Sequence, residues 1–214
     1  MNEEGQGGAG SGVWRAARPY SAVVGVLFLA AVVFAGINAV SNKAPSLQPG
    51  DALPKFAAPS ATGTTDKDAN IRPDRACTIR VKDAIRVCDY FDHPLVMVAW
   101  FKRGCDSCRP QLDTVERVRS RFPGVNFLGL DIKDSLGNAG KEVREHGWRF
   151  PMALDRNGDV SRIYAIAGGP TLFFAYPGGV LQRIVRGALD DREFVAHVEA
   201  LVKASRARER ARRG

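Results

Sequence analysis

The run of seven apolar residues from Leu95 to Phe101 constrains the fold of this chain more than any other feature. A strand with one solvated face alternates apolar and polar residues, whereas a strand that is buried on both faces is apolar throughout. The run is therefore typical of a central strand between two covering layers. Val125–Ile132 predicts a second buried strand.

The stretches between and after these strands predict helices and a hairpin. Three stretches predict helices: from about Cys108 to Phe122, from Lys141 to His146, and from Asp190 to about Ala204. The first and the last carry apolar residues on one helical face, and the second is ended by the glycine that follows it. Leu172–Tyr176 and Val180–Arg186, joined by a Pro-Gly-Gly turn, predict a β-hairpin.

Two further segments, Thr78–Val81 and Ile85–Cys88, alternate at period two on either side of a short turn at Lys82–Asp83. This pattern predicts an N-terminal β-hairpin. Cys77 and Cys88 are equidistant from the turn, so they would face each other at about 5.5 Å, a spacing that a disulfide bridges. We predict a structural disulfide between them. The alternatives are a redox pair that passes electrons to the other cysteines, or two free thiols.

These segments alternate as strands and helices, which predicts one α/β layer fold of about 150 residues, long enough for a real core. We assign this domain to residues 53–203. Residues 41–52 contain prolines and a glycine without periodicity and are predicted to be a linker. Residues 204–214 are predicted to be a basic tail.

A long apolar segment lies near the N-terminus. From Ala22 to Val40 the only polar side chain is that of Asn38. These residues would span about 28 Å as a helix, close to the hydrocarbon thickness of a bilayer. We predict one transmembrane helix over residues 21–40 after a disordered cytoplasmic stub over residues 1–20, with a cleaved signal peptide as the alternative. Two arginines precede the segment, which favours a cytoplasmic N-terminus and a domain outside the cytoplasm.

The net charge of +8 does not indicate a nucleic-acid partner. The last twelve residues hold six Lys or Arg residues and one Glu, and acidic and basic residues are interspersed in the remainder. The chain is therefore a nearly neutral body with a basic end. We predict no nucleic-acid binding.

Cys105 and Cys108 follow the first buried strand and open a predicted helix. Two intervening residues place both sulfurs within disulfide reach, and the N-terminal end of a helix stabilises a thiolate. Lys102, Arg103 and Arg109 add positive charge nearby. We predict that Cys105 attacks the disulfide of a partner and that Cys108 resolves the resulting mixed disulfide.

A C-x-x-C pair also fits half of a zinc site or an inert structural disulfide. A zinc site needs a second close pair of ligands, and neither the other cysteines nor the three histidines form one in the sequence. We therefore predict no metal and no other cofactor.

Motifs in the same order occur in a known family. They are Ala99–Phe101, Cys105–Arg109, Phe150–Pro151, Leu154–Gly158, Tyr164, Gly169–Phe174, Pro177–Gly179 and Gly187. Over residues 53–203 this set resembles the membrane-anchored TlpA/ResA-like branch of thioredoxin-like proteins, which overlaps the redoxin (AhpC/TSA-type) superfamily. The resemblance implies a thioredoxin-like fold, in which helices flank a central mixed sheet.

The resemblance also implies a substrate groove at Gly169, Pro170 and Thr171. In that family the matching proline is cis and faces the disulfide, and a glycine before it leaves the groove open. The alternative is that Pro170 only shapes the turn that enters the next strand.

Three positions depart from the family pattern. Gly104 replaces the tryptophan that commonly precedes the first cysteine. Ala99 replaces the buried acid that thioredoxin carries six residues before that cysteine, so the usual base for the resolving thiol is missing. Lys102 stands where peroxiredoxins need a threonine, so a peroxidase is not predicted.

The sequence thus predicts a membrane-anchored thiol–disulfide oxidoreductase that acts on protein thiols and disulfides outside the cytoplasm. Whether it reduces or oxidises its partners stays open. The alternative is a non-catalytic binding module of the same fold, in which Cys105 and Cys108 form a structural bridge. Metal delivery is disfavoured because the sequence places no histidine close to these cysteines.

Overall fold

The computed structural model describes residues 24–33 and 47–214. The chain divides into two compact units, Met1–Lys43 and Ala44–Gly214. In the first unit, residues 24–33 form an exposed helix. The predicted cytoplasmic stub and the rest of the predicted transmembrane segment lie outside the described residues. No helix in the described part of the chain is long and apolar enough to cross a membrane.

The second unit is built on a five-stranded mixed sheet and a separate two-stranded sheet. Their strands are β1 (Ala57–Pro59), β2 (Ala84–Arg86), β3 (Leu95–Phe101), β4 (Asn126–Ile132), β5 (Met152–Asp155), β6 (Thr171–Tyr176) and β7 (Val180–Arg186). The spatial order of the large sheet is β5-β4-β3-β6-β7. β3 pairs parallel with β4 and antiparallel with β6, so the predicted mixed sheet is confirmed. β6 and β7 form the predicted hairpin.

The central strand β3 is buried on both faces, as its unbroken apolar run predicts. Val96, Val98 and Trp100 belong to one layer of the core, and the alternating Met97 and Ala99 belong to the other. All five side chains are fully buried. The sheet therefore separates two core layers, which we name the Trp100 layer and the Met97 layer.

Helices flank the sheet in residues 47–214. They are a 3-10 helix (Val87–Tyr90) and the α-helices α1 (Cys108–Arg119), α2 (Leu136–His146), α3 (Asp159–Ile163) and α4 (Asp191–Arg213). α1, α2 and α4 bury apolar side chains in the Trp100 layer, and α3 contributes Val160 to the Met97 layer. The flanking helices predicted for the fold are thus confirmed.

Helix α2 begins five residues earlier than its predicted start at Lys141. The Ser135 hydroxyl accepts a hydrogen bond from the backbone N–H of Asn138, which satisfies one free donor at the helix start. The helix ends where predicted, because Gly147 adopts a left-handed conformation with φ +69°.

Helices α3 and α4 also differ from the prediction. α3 was not predicted; the buried carboxylate of Asp155 accepts hydrogen bonds from two backbone N–H groups in its first turn. α4 begins with a capping box between Asp190 and Glu193 and continues to Arg213. The predicted basic tail over residues 204–214 therefore continues this helix.

The predicted N-terminal hairpin of Thr78–Val81 with Ile85–Cys88 is wrong. The second segment provides β2, which pairs antiparallel with β1, and the first segment contains no strand. All three residues of β1, the partner of β2, are buried. Next to this pair, the N–H of Val87 donates to the carbonyl of Phe56 at 3.0 Å. Long-range burial therefore decided the partner of β2.

A disulfide joins Cys77 to Cys88, with Cα atoms 5.8 Å apart. It ties the turn segment before β2 to the 3-10 helix after it, instead of crossing a hairpin.

The predicted linker does not extend to residue 52. The N–H of Gly50 donates to the carbonyl of Leu181, and the N–H of Leu181 donates to the carbonyl of Asp51, both at 2.8 Å. Residues 50–52 therefore run along β7, while residues 41–46 lie outside the described part of the chain.

Candidate active site

The C-x-x-C pair lies at the junction between the end of β3 and the start of α1. Cys105 is in the connecting loop, Cys108 is the first residue of α1, and the two form a disulfide with Cα atoms 5.4 Å apart. Cys105 is 7% exposed, whereas Cys108 is completely buried. Of the two, only Cys105 retains contact with solvent, so an incoming thiol or disulfide meets it first.

Gly169 packs directly against the buried cysteine. A Cβ atom at this position would lie 3.0 Å from Sγ of Cys108, 3.3 Å from the ring of Phe101 and 3.4 Å from the Cα of Trp100. Any larger residue would press on the disulfide and on the end of β3. The close approach therefore explains why glycine occupies this position.

The Gly169–Pro170 peptide bond is cis, as the family resemblance implies. The next residue, Thr171, is buried, and its hydroxyl donates to the carbonyl of Gly168 at 2.7 Å. The three predicted groove residues thus form one short segment at the start of β6, and its glycine contacts the dithiol.

Two of the three cations predicted beside the dithiol are engaged with carboxylates. The guanidinium of Arg109 donates twice to Glu142 on α2, at 2.9 and 2.7 Å. The ammonium of Lys102 lies 3.8 Å from Asp134. Burial raises the pKa of Glu142, but the hydrogen bond and charge of Arg109 outweigh burial and hold that pKa below its ordinary value.

The third cation, Arg103, is exposed and lies two residues before Cys105. Within residues 24–33 and 47–214, no carboxylate is within 4.0 Å of its guanidinium. Its positive charge near the dithiol is therefore the least compensated of the three.

A residue that the sequence analysis did not select, Asp131, is buried close to this site. It lies on β4 directly opposite Trp100 of β3 and is fully buried. Neither of its carboxylate oxygens has a hydrogen-bond partner in the described structure. A buried, unpartnered carboxylate is costly and rare, so its presence needs a physical or functional explanation.

The surroundings of Asp131 favour its protonated form. Burial, and then the negative charge of Asp134, raise its pKa from 3.8 to about 8, although the nearby charges of Lys102 and Arg109 oppose the change. The sequence contains one signal for this residue, which is a charged side chain inside a predicted buried strand. That signal does not say which face of the strand carries the charge.

The position at which thioredoxin carries its buried acid points away from this site. Ala99 faces the Met97 layer, together with Leu130 of β4. Asp131 lies one residue further along β4 and faces the opposite layer, which contains the cysteines. The acid near the dithiol therefore comes from the neighbouring strand.

Aromatic side chains pack together in the Trp100 layer, which also contains the two cysteines. The indole rings of Trp100 and Trp148 meet edge to face with centroids 5.6 Å apart. The indole N–H of Trp148 donates to Asp113 at 2.7 Å, and His146 stacks on the same ring at 4.6 Å. Both tryptophans are buried, so they serve as core residues that support α1 and α2.

In the described part of the chain, no group of three or more His, Cys, Asp or Glu side chains is arranged so that it could hold a metal ion. A cavity of about 650 Å³ lies between the end of β6 and the last turns of α4, and arginines line part of it. Because it borders the start of β3, it lies at the opposite end of the sheet from the dithiol.

The sequence profile of the AhpC/TSA family matches residues 49–184 of this chain. The thiol-disulfide oxidoreductase ResA of Oceanobacillus iheyensis is 24% identical over 166 residues, which cover 77% of this chain and 78% of that protein.

Two solved structures from Mycobacterium tuberculosis share the fold. The structure of dsbF has a TM-score of 0.56 and 21% identity, and the match covers 71% of this chain and 98% of that one. A secreted disulfide oxidoreductase homologous to DsbE has a TM-score of 0.54 and 18% identity, with 67% and 94% covered.

Proposed function

Since this chain is an oxidoreductase that belongs to the AhpC/TSA family, we propose that it exchanges thiols and disulfides with protein partners through Cys105 and Cys108. The observation that carries the proposal is the asymmetry of the pair. Cys105 reaches solvent at the end of β3, while Cys108 is enclosed beneath Gly169. This arrangement suits one attacking sulfur and one resolving sulfur.

The exchange runs in two steps. In the reducing direction the Cys105 thiolate attacks a partner disulfide, and one partner sulfur leaves as a thiolate. Cys108 then attacks Sγ of Cys105 in the mixed disulfide, so that the Cys105–Cys108 bond forms and the second partner sulfur leaves. Two electrons pass to the partner, and oxidation of a partner is the reverse sequence.

The Cys105 thiolate is stabilised by the start of α1 and by positive charge. The side chain of Ser107 does not cap the helix, and the positive end of the helix dipole lies at the dithiol, whose second cysteine begins α1. Arg103 adds an uncompensated charge, and Lys102 and Arg109 contribute less because each is engaged with a carboxylate. Such surroundings favour the thiolate over the thiol, and the thiolate is the form that attacks a disulfide.

A partner chain would bind along Gly169, Pro170 and Thr171. Because Gly169 has no side chain, this segment lies directly against the disulfide, and a partner bound along it would meet the dithiol. Recognition at this segment would rest on backbone contacts, because the Thr171 hydroxyl is already committed to a carbonyl. We therefore expect broad acceptance of partner sequences.

We also propose that the domain works outside the cytoplasm, held by an N-terminal membrane anchor over residues 21–40. The Cys77–Cys88 disulfide supports an oxidising compartment, where such bonds persist. In this proposal the Cys77–Cys88 bond is structural and does not take part in the exchange.

The test is the redox equilibrium of the full-length protein in glutathione and dithiothreitol buffers. Alkylation and mass spectrometry assign each cysteine, and insulin reduction measures turnover. We expect Cys105–Cys108 to titrate reversibly between about −100 and −300 mV, the range of known exchange catalysts. We expect Cys77–Cys88 to stay oxidised over that range.

Matched variants separate the two disulfides. Cys105→Ser should abolish insulin reduction, whereas the double variant Cys77→Ser/Cys88→Ser should retain it. A Cys105–Cys108 bond that resists both buffers, in a folded protein without turnover, would show that the bond is structural and that the chain is a binding module.

A further inference from the structure

Asp131 is placed within the same core layer as the buried sulfur of the dithiol. Side chains alternate along β4, and Phe127 belongs to the Trp100 layer, so Asp131 faces that layer too. Its Cα partner in the parallel pair is Trp100, about 4.8 Å away in a sheet. The Cα of Trp100 and Sγ of Cys108 both border the same position, the missing Cβ of Gly169.

Charged groups approach Asp131 from three neighbouring segments. Lys102 follows β3 and Arg109 belongs to α1. Asp134 lies two residues before the start of α2, and Glu142 lies in the middle of that helix. From β5, its strand partner is the apolar Leu154. Arg109 directly follows Cys108, so the electrostatic contact with Asp131 reaches the turn of α1 that holds the resolving cysteine.

The other acids near the site already have partners or are exposed. Glu142 binds the guanidinium of Arg109, and Asp134 is close to the ammonium of Lys102 and accepts from the N–H of Ser135. Asp106, between the two cysteines, is exposed. Asp131 is the acid of this cluster that is both fully buried and without a hydrogen bond in the described structure.

We propose that Asp131 exchanges a proton with Cys108 during thiol–disulfide exchange, a role that rests on the proposed function of the dithiol. A buried thiolate cannot be neutralised readily by bulk water, so a neighbouring acid that changes protonation state lowers the barrier to its formation and consumption. Asp131 holds its proton near neutral pH, and its pKa lies close to the ordinary value for a thiol, which favours transfer in both directions.

The proton step balances in each direction. When a partner thiolate attacks Sγ of Cys105, the Cys105–Cys108 bond breaks and its electron pair goes to Cys108. The protonated carboxyl of Asp131 then gives its proton to that sulfur. In reverse, ionised Asp131 takes the proton of the Cys108 thiol as this sulfur attacks Cys105, and the partner leaves as a thiolate. No further reactant is required.

The experiment follows the two steps separately in the reduced full-length protein. Reaction with 5,5′-dithiobis(2-nitrobenzoic acid) releases one coloured thiolate when Cys105 attacks and a second when Cys108 resolves the mixed disulfide. In wild-type protein the rate of the second release should rise with pH and level off near 8. The rate of the first release reports the Cys105 thiolate.

Asp131→Asn should slow the second release at pH 7 by about tenfold to a hundredfold. The first release should change by less than about twofold. The rate of the second release should go on rising above pH 8, because no carboxylate takes the proton of the thiol. A merely structural role for Asp131 would not move this pH profile. Identical second-release profiles for the variant and the wild type would overturn the proposal.

Asp134→Asn is the matched control. It removes a negative charge that raises the pKa of Asp131, so the second release should level off at a lower pH while remaining fast. If Asp131→Asn does not fold, this shift decides the question, and an unmoved profile in Asp134→Asn refutes the proton role. Absence of any second release from wild-type protein would instead refute the proposed function of the dithiol.

Discussion

The buried carboxyl of Asp131 predicts a stability that depends on pH in an unusual direction. Its pKa is raised from 3.8 to about 8 in the folded protein. In the unfolded chain the acid ionises near pH 4, so between pH 4 and pH 8 folding requires the uptake of a proton. The contribution to stability is complete below about pH 4 and is lost as pH rises to about 8, because the unfolded state there binds fewer protons.

The size of the effect follows from the two pKa values. Each pH unit between them changes the free energy of unfolding by about 1.4 kcal/mol. Between pH 5 and pH 8 the loss therefore amounts to about 4 kcal/mol. Asparagine has nearly the same shape but does not titrate in this range. The stability of Asp131→Asn relative to wild type should thus increase by about 4 kcal/mol from pH 5 to pH 8.

Urea denaturation of the oxidised full-length protein, followed by far-ultraviolet circular dichroism at four pH values, measures this difference. Other titrating groups are shared by both proteins and largely cancel in the comparison. A difference between variant and wild type that stays constant from pH 5 to pH 8 would refute the reasoning, because it would mean that the Asp131 carboxyl ionises normally in the folded state.

Three further predictions concern the site and its supports. Gly169→Ala should lower insulin reduction at least tenfold and destabilise the protein by about 1–3 kcal/mol in urea denaturation, because its Cβ would press on the buried sulfur. The added Cβ of Gly168→Ala would meet no atom within 4 Å, so this variant should keep both insulin reduction and stability. Equal losses in the Gly168 and Gly169 variants would contradict the packing argument. Glu142→Gln should lower the free energy of unfolding by about 2 kcal/mol at pH 7. That loss of stability should shrink as pH falls through the lowered pKa of the native carboxylate. A loss that is unchanged at acidic pH would show that the ion pair with Arg109 is not its source. The double variant Cys77→Ala/Cys88→Ala should lower the free energy of unfolding by about 2–3 kcal/mol and keep insulin turnover; loss of turnover in the folded variant would assign these cysteines to the exchange.

Much of the fold followed from local sequence patterns. The unbroken apolar run of β3 predicts burial on both faces, and Gly147 marks the end of α2 because a left-handed residue stops the helix there. The C-x-x-C spacing places two sulfurs within bonding distance, whatever the rest of the chain does. These features depend on residues that are close along the chain, so the sequence alone was sufficient for them.

Other features depended on contacts between distant segments. Period-two alternation identified β2 as a strand but could not choose its partner, which is β1 and lies more than twenty residues earlier. The sequence shows an acid within β4, yet only the packing of three segments around Asp131 buries its carboxyl group and raises its pKa. The contact between Gly169 and Cys108 likewise joins β6 to α1. Local sequence thus determined the strands β3 and β4, the β6–β7 hairpin and the helices α1, α2 and α4. Strand partners, the burial of Asp131 and the enclosure of Cys108 were decided by tertiary structure, because each is set by the energy of packing groups that are far apart in the chain.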